Sequence, residues 1–419
     1  MSRSAQATNQ GPEKEHRCPA CEGHRLIPFY RVSGVPTQSV LLRPTRAAAI
    51  NAPCGDISLH GCSDCGFIFN PAFDPNTQNY NVDYRPSQGC STTFSRFHQD
   101  LAGYLVDRHG LHNRTVVEIG CGQGEFLQRV CRLGQNRGYG FDPSLVERNE
   151  DDVTLIKDVY SARYRDLKAD YFICQMTLEH LADPAALIDL VHDAAGGNPD
   201  AVVFFQVPDV RRIITETAFW DIYYEHCNYF SPGSLARLLR RRNFLVRSLW
   251  TGHQGQYVML TAQPSRKRAG EPLPGEDTPE EMRRWIQDFS QETELRCRDW
   301  SDRLATMAES GKETVLWGGG SKAVAFCTTL TLRYEIKGVV DIDPAKAGTF
   351  IAGTGQEIVS PEALRAARPD AVIVMNPIYM EEIREELSRM DLRPELIPIT
   401  ARPAGRLGPK PKFEDGEEE

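Results

Sequence analysis

Four cysteines form two matched pairs whose spacing is typical of a metal site. Cys18 and Cys21 form one CxxC pair, Cys62 and Cys65 form a second, and 40 residues lie between the pairs. Two such turns can place four thiolates tetrahedrally around one Zn²⁺ and leave no open coordination position. We therefore predict a structural zinc site; two unrelated pairs of reduced cysteines, or a redox CxxC, are the alternatives.

A glycine-rich loop, in TVVEIGCGQGEFL, indicates a second kind of site. Its key residues spell ExGxGxG: Glu118, Gly120, Gly122 and Gly124. Glycines let a ligand approach the main chain where a Cβ would block it. Glu125 stands where a dinucleotide fingerprint needs glycine, so the loop suits an adenosyl group without a pyrophosphate. Asp142 ends the next strand and could accept hydrogen bonds from ribose hydroxyls; because Pro143 follows, a helix cap is the alternative.

A second glycine-rich loop lies in VLWGGGSKAVAF. Gly318, Gly320 and Ala323 spell GxGxxA, and Asp341 ends the next predicted strand, KGVVDID. This pattern is a formal dinucleotide fingerprint. Amides at the helix start, together with Lys322, would also suit a phosphate on a substrate. Substrate binding, NAD binding and a relic that only packs against its neighbour all remain open.

The elements around these loops predict an α/β fold. Short apolar, β-branched runs alternate with helical patterns in two blocks, which is typical of parallel sheets covered by helices. The first block contains TVVEIG, RGYGFD, VTLIK, DYFICQM, AVVFFQV, FLVRSLW and QYVMLTA, and the second contains TVLWGG, IKGVVDID and DAVIVMN. We expect two open doubly wound sheets with ligands at the carboxyl ends of the strands.

Composition limits the classes of protein that remain. The 419 residues allow two or three domains, and the net charge of −9 argues against a nucleic-acid partner. No apolar run is long enough to span a membrane, and the first residues show no secretory signal. We therefore expect a cytoplasmic protein whose twelve cysteines are in a reducing compartment.

These motifs together resemble class I S-adenosylmethionine (SAM)-dependent methyltransferases. The paired cysteines, the motif YYEHCNYFS and the second α/β block resemble the three-domain C-methyltransferases of nucleotide-linked deoxysugars. The resemblance implies SAM as cofactor, a structural Zn²⁺ and a small-molecule substrate. Composition and the element pattern divide the chain into a disordered leader (1–16), a zinc-binding domain (17–85), a SAM-binding Rossmann-like domain (86–263), a linker (264–281), a helical connection with a C-terminal Rossmann-like domain (282–400) and an acidic tail (401–419).

The resemblance also implies catalytic residues. Methylation of carbon needs a carbanion equivalent, so a base must remove a proton next to a ketone and donors must hold the enolate oxygen. In IYYEHCNYF the motif makes His226 the base and Glu225 the residue that orients it, while Tyr223 contacts substrate. His180 in LEHLADP matches a second active-site histidine, with a scaffold role as the alternative.

Further positions match the substrate side of the family less closely. Tyr80 and Tyr84 resemble its substrate-facing tyrosines, although ordinary packing would also explain them. His253 belongs to GHQGQ where relatives commonly have HGGS, and Asn376 belongs to MN where they have WN. These departures leave three alternatives open: N- or O-methylation of another intermediate, an NAD-dependent oxidoreductase, and a non-catalytic zinc scaffold.

Overall fold

The computed structural model describes residues 16–78, 89–146, 152–196, 198, 200–265 and 270–400. Its strands are β1 (Leu26–Pro36), β2 (Cys54–Cys62), β3 (Ile68–Phe69), β4 (Thr115–Ile119), β5 (Arg137–Phe141), β6 (Val153–Ile156), β7 (Tyr171–Gln175), β8 (Val202–Pro208), β9 (Asn228–Tyr229), β10 (Phe244–Gly252), β11 (Tyr257–Pro264), β12 (Thr314–Trp317), β13 (Gly338–Val340), β14 (Ile358–Val359), β15 (Ala371–Val374) and β16 (Glu395–Pro398). Its helices are α1 (Arg46–Ile50), α2 (Thr92–His109), α3 (Glu125–Gly134), α4 (Pro184–Ala195), α5 (Val210–Thr215), α6 (Pro232–Arg241), α7 (Pro279–Glu309), α8 (Ser321–Thr329), α9 (Leu364–Ala367) and α10 (Met380–Arg389).

The central sheet has seven strands in the order β10-β11-β8-β7-β4-β5-β6. Strands β4 to β8 pair in parallel, whereas β11 is antiparallel to both β8 and β10. An entirely parallel sheet is therefore wrong for this block. Only four residues, 253–256, join β10 to β11, which is enough for a hairpin and too short for a parallel crossover.

The C-terminal sheet is fully parallel, in the order β14-β13-β12-β15-β16. Three of its strands carry the apolar runs expected from the sequence. The edge strands β14 and β16 are not expected, because they have only two and four residues and one ends in a proline. The α/β fold is confirmed in both blocks.

A smaller antiparallel sheet, β1-β2-β3-β9, lies at the N-terminal end. Its last strand comes from the first α/β block, immediately after the YYEHC residues. Ile68 pairs with Tyr229, and the amide of Asn70 donates to the carbonyl of Cys227 over 2.8 Å. The N-terminal sheet is thus hydrogen-bonded directly to the segment with the candidate base.

A shared hydrophobic core joins the N-terminal sheet, α7 and the C-terminal sheet. Trp220 and Trp300 are almost fully buried in it, and Phe326 lies 5.4 Å from the Trp300 ring and 5.9 Å from that of Phe219. Burial of large aromatic surfaces contributes strongly to the stability of such contacts. Within the described ranges, no helix is long and apolar enough to cross a membrane.

Candidate functional site

The four cysteines of the two CxxC pairs come together in space. The Sγ atoms of Cys18 and Cys65 lie 3.6 Å apart, those of Cys21 and Cys62 lie 3.5 Å apart, and all four are within 4.8 Å of one another. None of the four forms a disulfide. Sulfurs bound tetrahedrally to zinc at about 2.3 Å would be about 3.8 Å apart, so the donor set fits Zn²⁺.

The two pairs sit on matching turns. The amide of Glu22 donates to the carbonyl of Cys18 over 2.8 Å, and the amide of Gly66 donates to Cys62 over the same distance. Glu22 and Gly66 both have positive φ, 63° and 71°. At Gly66 a Cβ would also lie 3.0 Å from the Arg237 guanidinium, which leaves little room for a larger residue. The backbone thus aims both pairs of thiols at one point, which two unrelated pairs would not do.

The first glycine-rich loop connects β4 to α3. Gly120, Gly122 and Gly124 all have positive φ. A Cβ at Gly120 would lie 2.0 Å from the Thr177 hydroxyl, whereas one at Gly122 would meet no atom within 4 Å. Gly120 is therefore required by packing, and Gly122 leaves its main chain open to a ligand, as an adenosyl site needs.

Two acids flank this loop. The Asp142 carboxylate accepts from the amide of Gly122 over 2.9 Å and from the amide and hydroxyl of Ser144. The carboxylate thus caps the turn that follows β5, and its contact with ribose stays a prediction. Glu118 is buried within β4, and burial raises its pKa to about 8. Residues of this loop could hold SAM: Glu118, Gly120, Gly122, Gly124 and Asp142.

The candidate base lies beside the carboxyl ends of β7 and β8. His226 is buried, with the Tyr223 ring centroid 4.2 Å and the His180 ring centroid 4.8 Å from its own. Burial lowers the pKa of His226 well below its usual value, so its imidazole is neutral. Burial likewise raises the pKa of the half-buried Tyr223, which keeps its phenol protonated as a donor. A neutral imidazole beside a phenol has the charge states that proton abstraction requires.

His180 has a defined tautomer. Its Nδ1 lies 3.1 Å from the backbone carbonyl oxygen of Glu225, which can only accept, so Nδ1 carries the proton. Burial lowers the pKa of His180 to about 4, so the ring is neutral and Nε2 is an acceptor. The structure therefore brings His180 into the same cluster as His226 and fixes its ring.

Glu225 lies at one end of a hydrogen-bond chain that links three segments distant in the sequence. Its Oε1 accepts from the amide and from the hydroxyl of Ser39, the latter over 2.7 Å. The Ser39 hydroxyl lies 2.8 Å from that of Ser321, in the second glycine-rich loop. Burial raises the pKa of Glu225 to about 7. Ser39 has no motif around it, so no sequence pattern identifies it as part of this site.

The second glycine-rich loop is held in contacts with the rest of the chain. Lys322 forms an ion pair with Asp221, which also pairs with Arg212 over 2.6 Å. Asp341 accepts from the amide of Gly319 over 2.8 Å and pairs with buried Lys346 over 2.9 Å. Both Lys322 and Asp341 therefore already form ion pairs with other residues of the protein.

Two of the expected substrate residues lie where the hairpin meets the C-terminal domain. Asn376 and Gln256 exchange two side-chain hydrogen bonds, of 2.7 and 3.1 Å. His253 is buried against the rings of Phe97 and Tyr257. The departure at Gln256 therefore has a structural reason, since this amide pairs with Asn376. Tyr80 and Tyr84 lie outside the described residues.

The comparisons with known proteins agree with these motifs. The model of a methyltransferase domain matches residues 91–249, and that of the C-methyltransferase C-terminal domain matches residues 268–393. The C-methyltransferase NovU of Streptomyces niveus is 24% identical over 307 residues, covering 68% of this chain and 71% of its own.

Solved methyltransferase structures resemble part of the chain. A SAM-dependent methyltransferase from Aquifex aeolicus is 14% identical with a TM-score of 0.32, over 45% of this chain and 98% of its own. The magnesium protoporphyrin IX methyltransferase of Synechocystis is 15% identical with a TM-score of 0.32, over 41% and 84%. The two family models and the relative together support a class I SAM-dependent C-methyltransferase.

Proposed function

We propose that this C-methyltransferase methylates the carbon next to a ketone on a nucleotide-linked deoxysugar or a related biosynthetic intermediate. SAM supplies the methyl group. His226 removes the proton from that carbon, and the C–H electron pair moves toward the ketone oxygen to give an enolate. Tyr223 donates a hydrogen bond to this oxygen, and the enolate carbon then takes the methyl group as the sulfur–methyl bond breaks.

The observation that carries this proposal is the state of His226. The imidazole is buried and neutral, and its ring packs against those of Tyr223 and His180. In a neutral imidazole one ring nitrogen carries no proton, and its lone pair can accept the substrate proton. A base of this kind is essential for methylation of carbon and less so for O- or N-methylation, where the acceptor already carries a lone pair.

The other units have supporting roles in the proposal. Residues 17–85 carry a structural Zn²⁺ on Cys18, Cys21, Cys62 and Cys65, and thereby hold the segment that presents Ser39 to Glu225. We propose that Glu225 and His180 keep the base in place. The C-terminal loop reaches the site through Ser321, so a substrate bound to His226 lies beside residues of that loop.

The second loop gives less support to an oxidoreductase. Both strand-end acids accept from their own loop amides, but Asp341 is also paired with buried Lys346, and a ribose contact there would have to compete with this ion pair. Lys322 is equally engaged by Asp221, so phosphate binding there would require this ion pair to open. Substrate contacts near Ser321 remain compatible with the geometry.

The experiment measures proton exchange at the reacting carbon. A thymidine-diphosphate-linked keto-deoxysugar is incubated in D₂O with S-adenosylhomocysteine in place of SAM, and deuterium uptake is followed by NMR. His226→Gln should lower uptake by at least about 100-fold while leaving SAM affinity unchanged. His112→Gln, at an exposed histidine, is the matched control. Uptake that persists in His226→Gln would exclude His226 as the base.

A further inference from the structure

Two carboxylates lie close to the candidate base, and they differ in what they already bind. Glu225 is half engaged: its Oε1 accepts two hydrogen bonds from Ser39, while its buried Oε2 has no partner among the described residues. Glu179 is 1% exposed, and among the described residues neither of its carboxylate oxygens has a hydrogen-bond partner. A buried carboxylate without a partner is costly and needs a reason.

The backbone fixes Glu179 against the catalytic motif. The backbone amide of Cys227 donates to the carbonyl of Glu179 over 2.9 Å, and the side-chain amide of Asn228 donates to the carbonyl of Leu181. Together with the bond from His180 to the Glu225 carbonyl, these contacts hold the two segments side by side. One ligand atom each of Glu179, His180 and His226 lies within 4.8 Å of the others.

This arrangement matters once a proton moves. Neutral His226 becomes an imidazolium when it takes the substrate proton, and a buried cation requires a nearby negative charge. Glu225 does not belong to the cluster of donor atoms around His226 in the described chain, whereas Glu179 does. We infer that Glu179 is a further positioning residue, and that its carboxylate, not that of Glu225, stabilises protonated His226. This inference rests on the proposed role of His226.

The ionisation of Glu179 gives a substrate-free readout. Burial raises the pKa of Glu179 to about 8, so the carboxylate charges as pH rises through that value. The adjacent imidazole of His226 should sense this change. Other titratable groups lie close enough to interact electrostatically with these two. Cys174, Tyr223 and Cys227 interact with Glu179, and His180 and Lys322 interact with His226.

The first test follows the histidine ring signals of the full chain by NMR between pH 5 and pH 9. His226→Gln assigns the His226 signal. We expect an inflection near pH 8 that disappears in Glu179→Gln and persists in Glu225→Gln. An inflection unchanged in Glu179→Gln, or lost only in Glu225→Gln, would overturn the pairing. Unchanged SAM affinity in each variant shows that the fold is intact.

The second test uses deuterium uptake by the keto-deoxysugar. Glu179→Gln should lower the maximal rate by about 100-fold at an unchanged KM, and Glu179→Asp should restore part of it. A change in KM alone would contradict a role in stabilising the imidazolium. If His226→Gln retains uptake but the NMR inflection follows Glu179, the proposed base is wrong and the pairing stands.

Glu179, His180 and His226 could instead hold a divalent cation, so the metal content is measured as well. Native mass spectrometry of the wild-type chain should show one zinc, which Cys62→Ser removes. A second bound metal ion that is lost in Glu179→Gln would overturn the inference, because the carboxylate would then serve as a ligand. An identical metal content in wild type and Glu179→Gln supports it.

Discussion

The two glycine-rich loops begin alike and differ in what surrounds them. The amide of Gly120 donates to Phe141 and that of Gly318 to Val340, each over 2.8 Å, just before an acid at the end of the neighbouring strand. Each acid then accepts from a loop amide, at Gly122 in one case and Gly319 in the other. A shared strand-loop-helix geometry therefore does not define a shared ligand.

The difference lies in the groups available to a ligand. Two residues before its first glycine, the first loop has Glu118 and the second has Leu316. Asp341 pairs with a buried lysine, whereas Asp142, within the described part of the chain, binds its loop amide and Ser144 but no cation. Both loops have a glycine with open surroundings, Gly122 and Gly320, but the second loop is also bonded to Ser39 and Asp221. We interpret the second loop as a connector that completes the active site.

The largest effect should come from the glycines themselves. Gly120→Ala places a Cβ 2.0 Å from the Thr177 hydroxyl at a φ of 72°, so we expect SAM affinity to fall by at least about 100-fold, about 2.7 kcal/mol. Gly320→Ala meets no atom within 4 Å at a φ of −108° and should leave SAM affinity unchanged. Isothermal titration with SAM measures both. Equal losses in the two variants would contradict the difference between the loops.

The second largest effect should come from breaking the ion pair between Lys322 and Asp221 in the second loop. Lys322→Met leaves Asp221 buried with only Arg212, and we expect a loss of about 2 kcal/mol, below the range for fully buried pairs because the lysine is partly exposed. Urea unfolding measures the change. Lys337→Met, at an exposed lysine, is the control. If Lys322→Met is less stable but binds SAM as wild type does, the connector role is supported. If Lys322→Met is as stable as wild type, that role is contradicted.

The sequence predicts the chemistry of local motifs better than contacts between distant segments. The CxxC pairs, ExGxGxG and the EH residues depend on neighbours within a few positions, so their backbone geometry can be read directly. Glu179 and Ser39 could not be found in this way, because their importance arises from pairing with Cys227 and Glu225 across the fold. The internal ion pair of Lys322 is likewise invisible until Asp221 is placed beside it.

Glu118 gives the first loop a dependence on pH that Leu316 cannot give the second. Its folded pKa of about 8 exceeds the ordinary value of 4.5, so between these values the folded state holds one more proton than the unfolded state. The contribution of Glu118 to the unfolding free energy therefore falls as pH rises, by up to about 1.4 kcal/mol per unit.

Urea unfolding between pH 5 and pH 8 tests this dependence. Glu118→Gln should remove the contribution of this carboxyl to the change of unfolding free energy with pH. Near pH 8 the variant should therefore be more stable than wild type. Glu309→Gln, at an exposed helix end, should keep the wild-type slope. Parallel curves for wild type and Glu118→Gln would show that the buried carboxyl keeps its charge.

The smallest effect separates the two acids at the strand ends. Asp142→Asn retains a side chain that can accept from the Gly122 amide and removes the charge, so SAM affinity should fall about tenfold, about 1.4 kcal/mol. Asp341→Asn leaves Lys346 buried without its counter-charge, so this variant should lose stability while SAM affinity stays the same. Titration with SAM and urea unfolding on both variants give a two-by-two comparison. The crossed result, in which Asp341→Asn weakens SAM binding and Asp142→Asn does not, would assign the cofactor to the second loop.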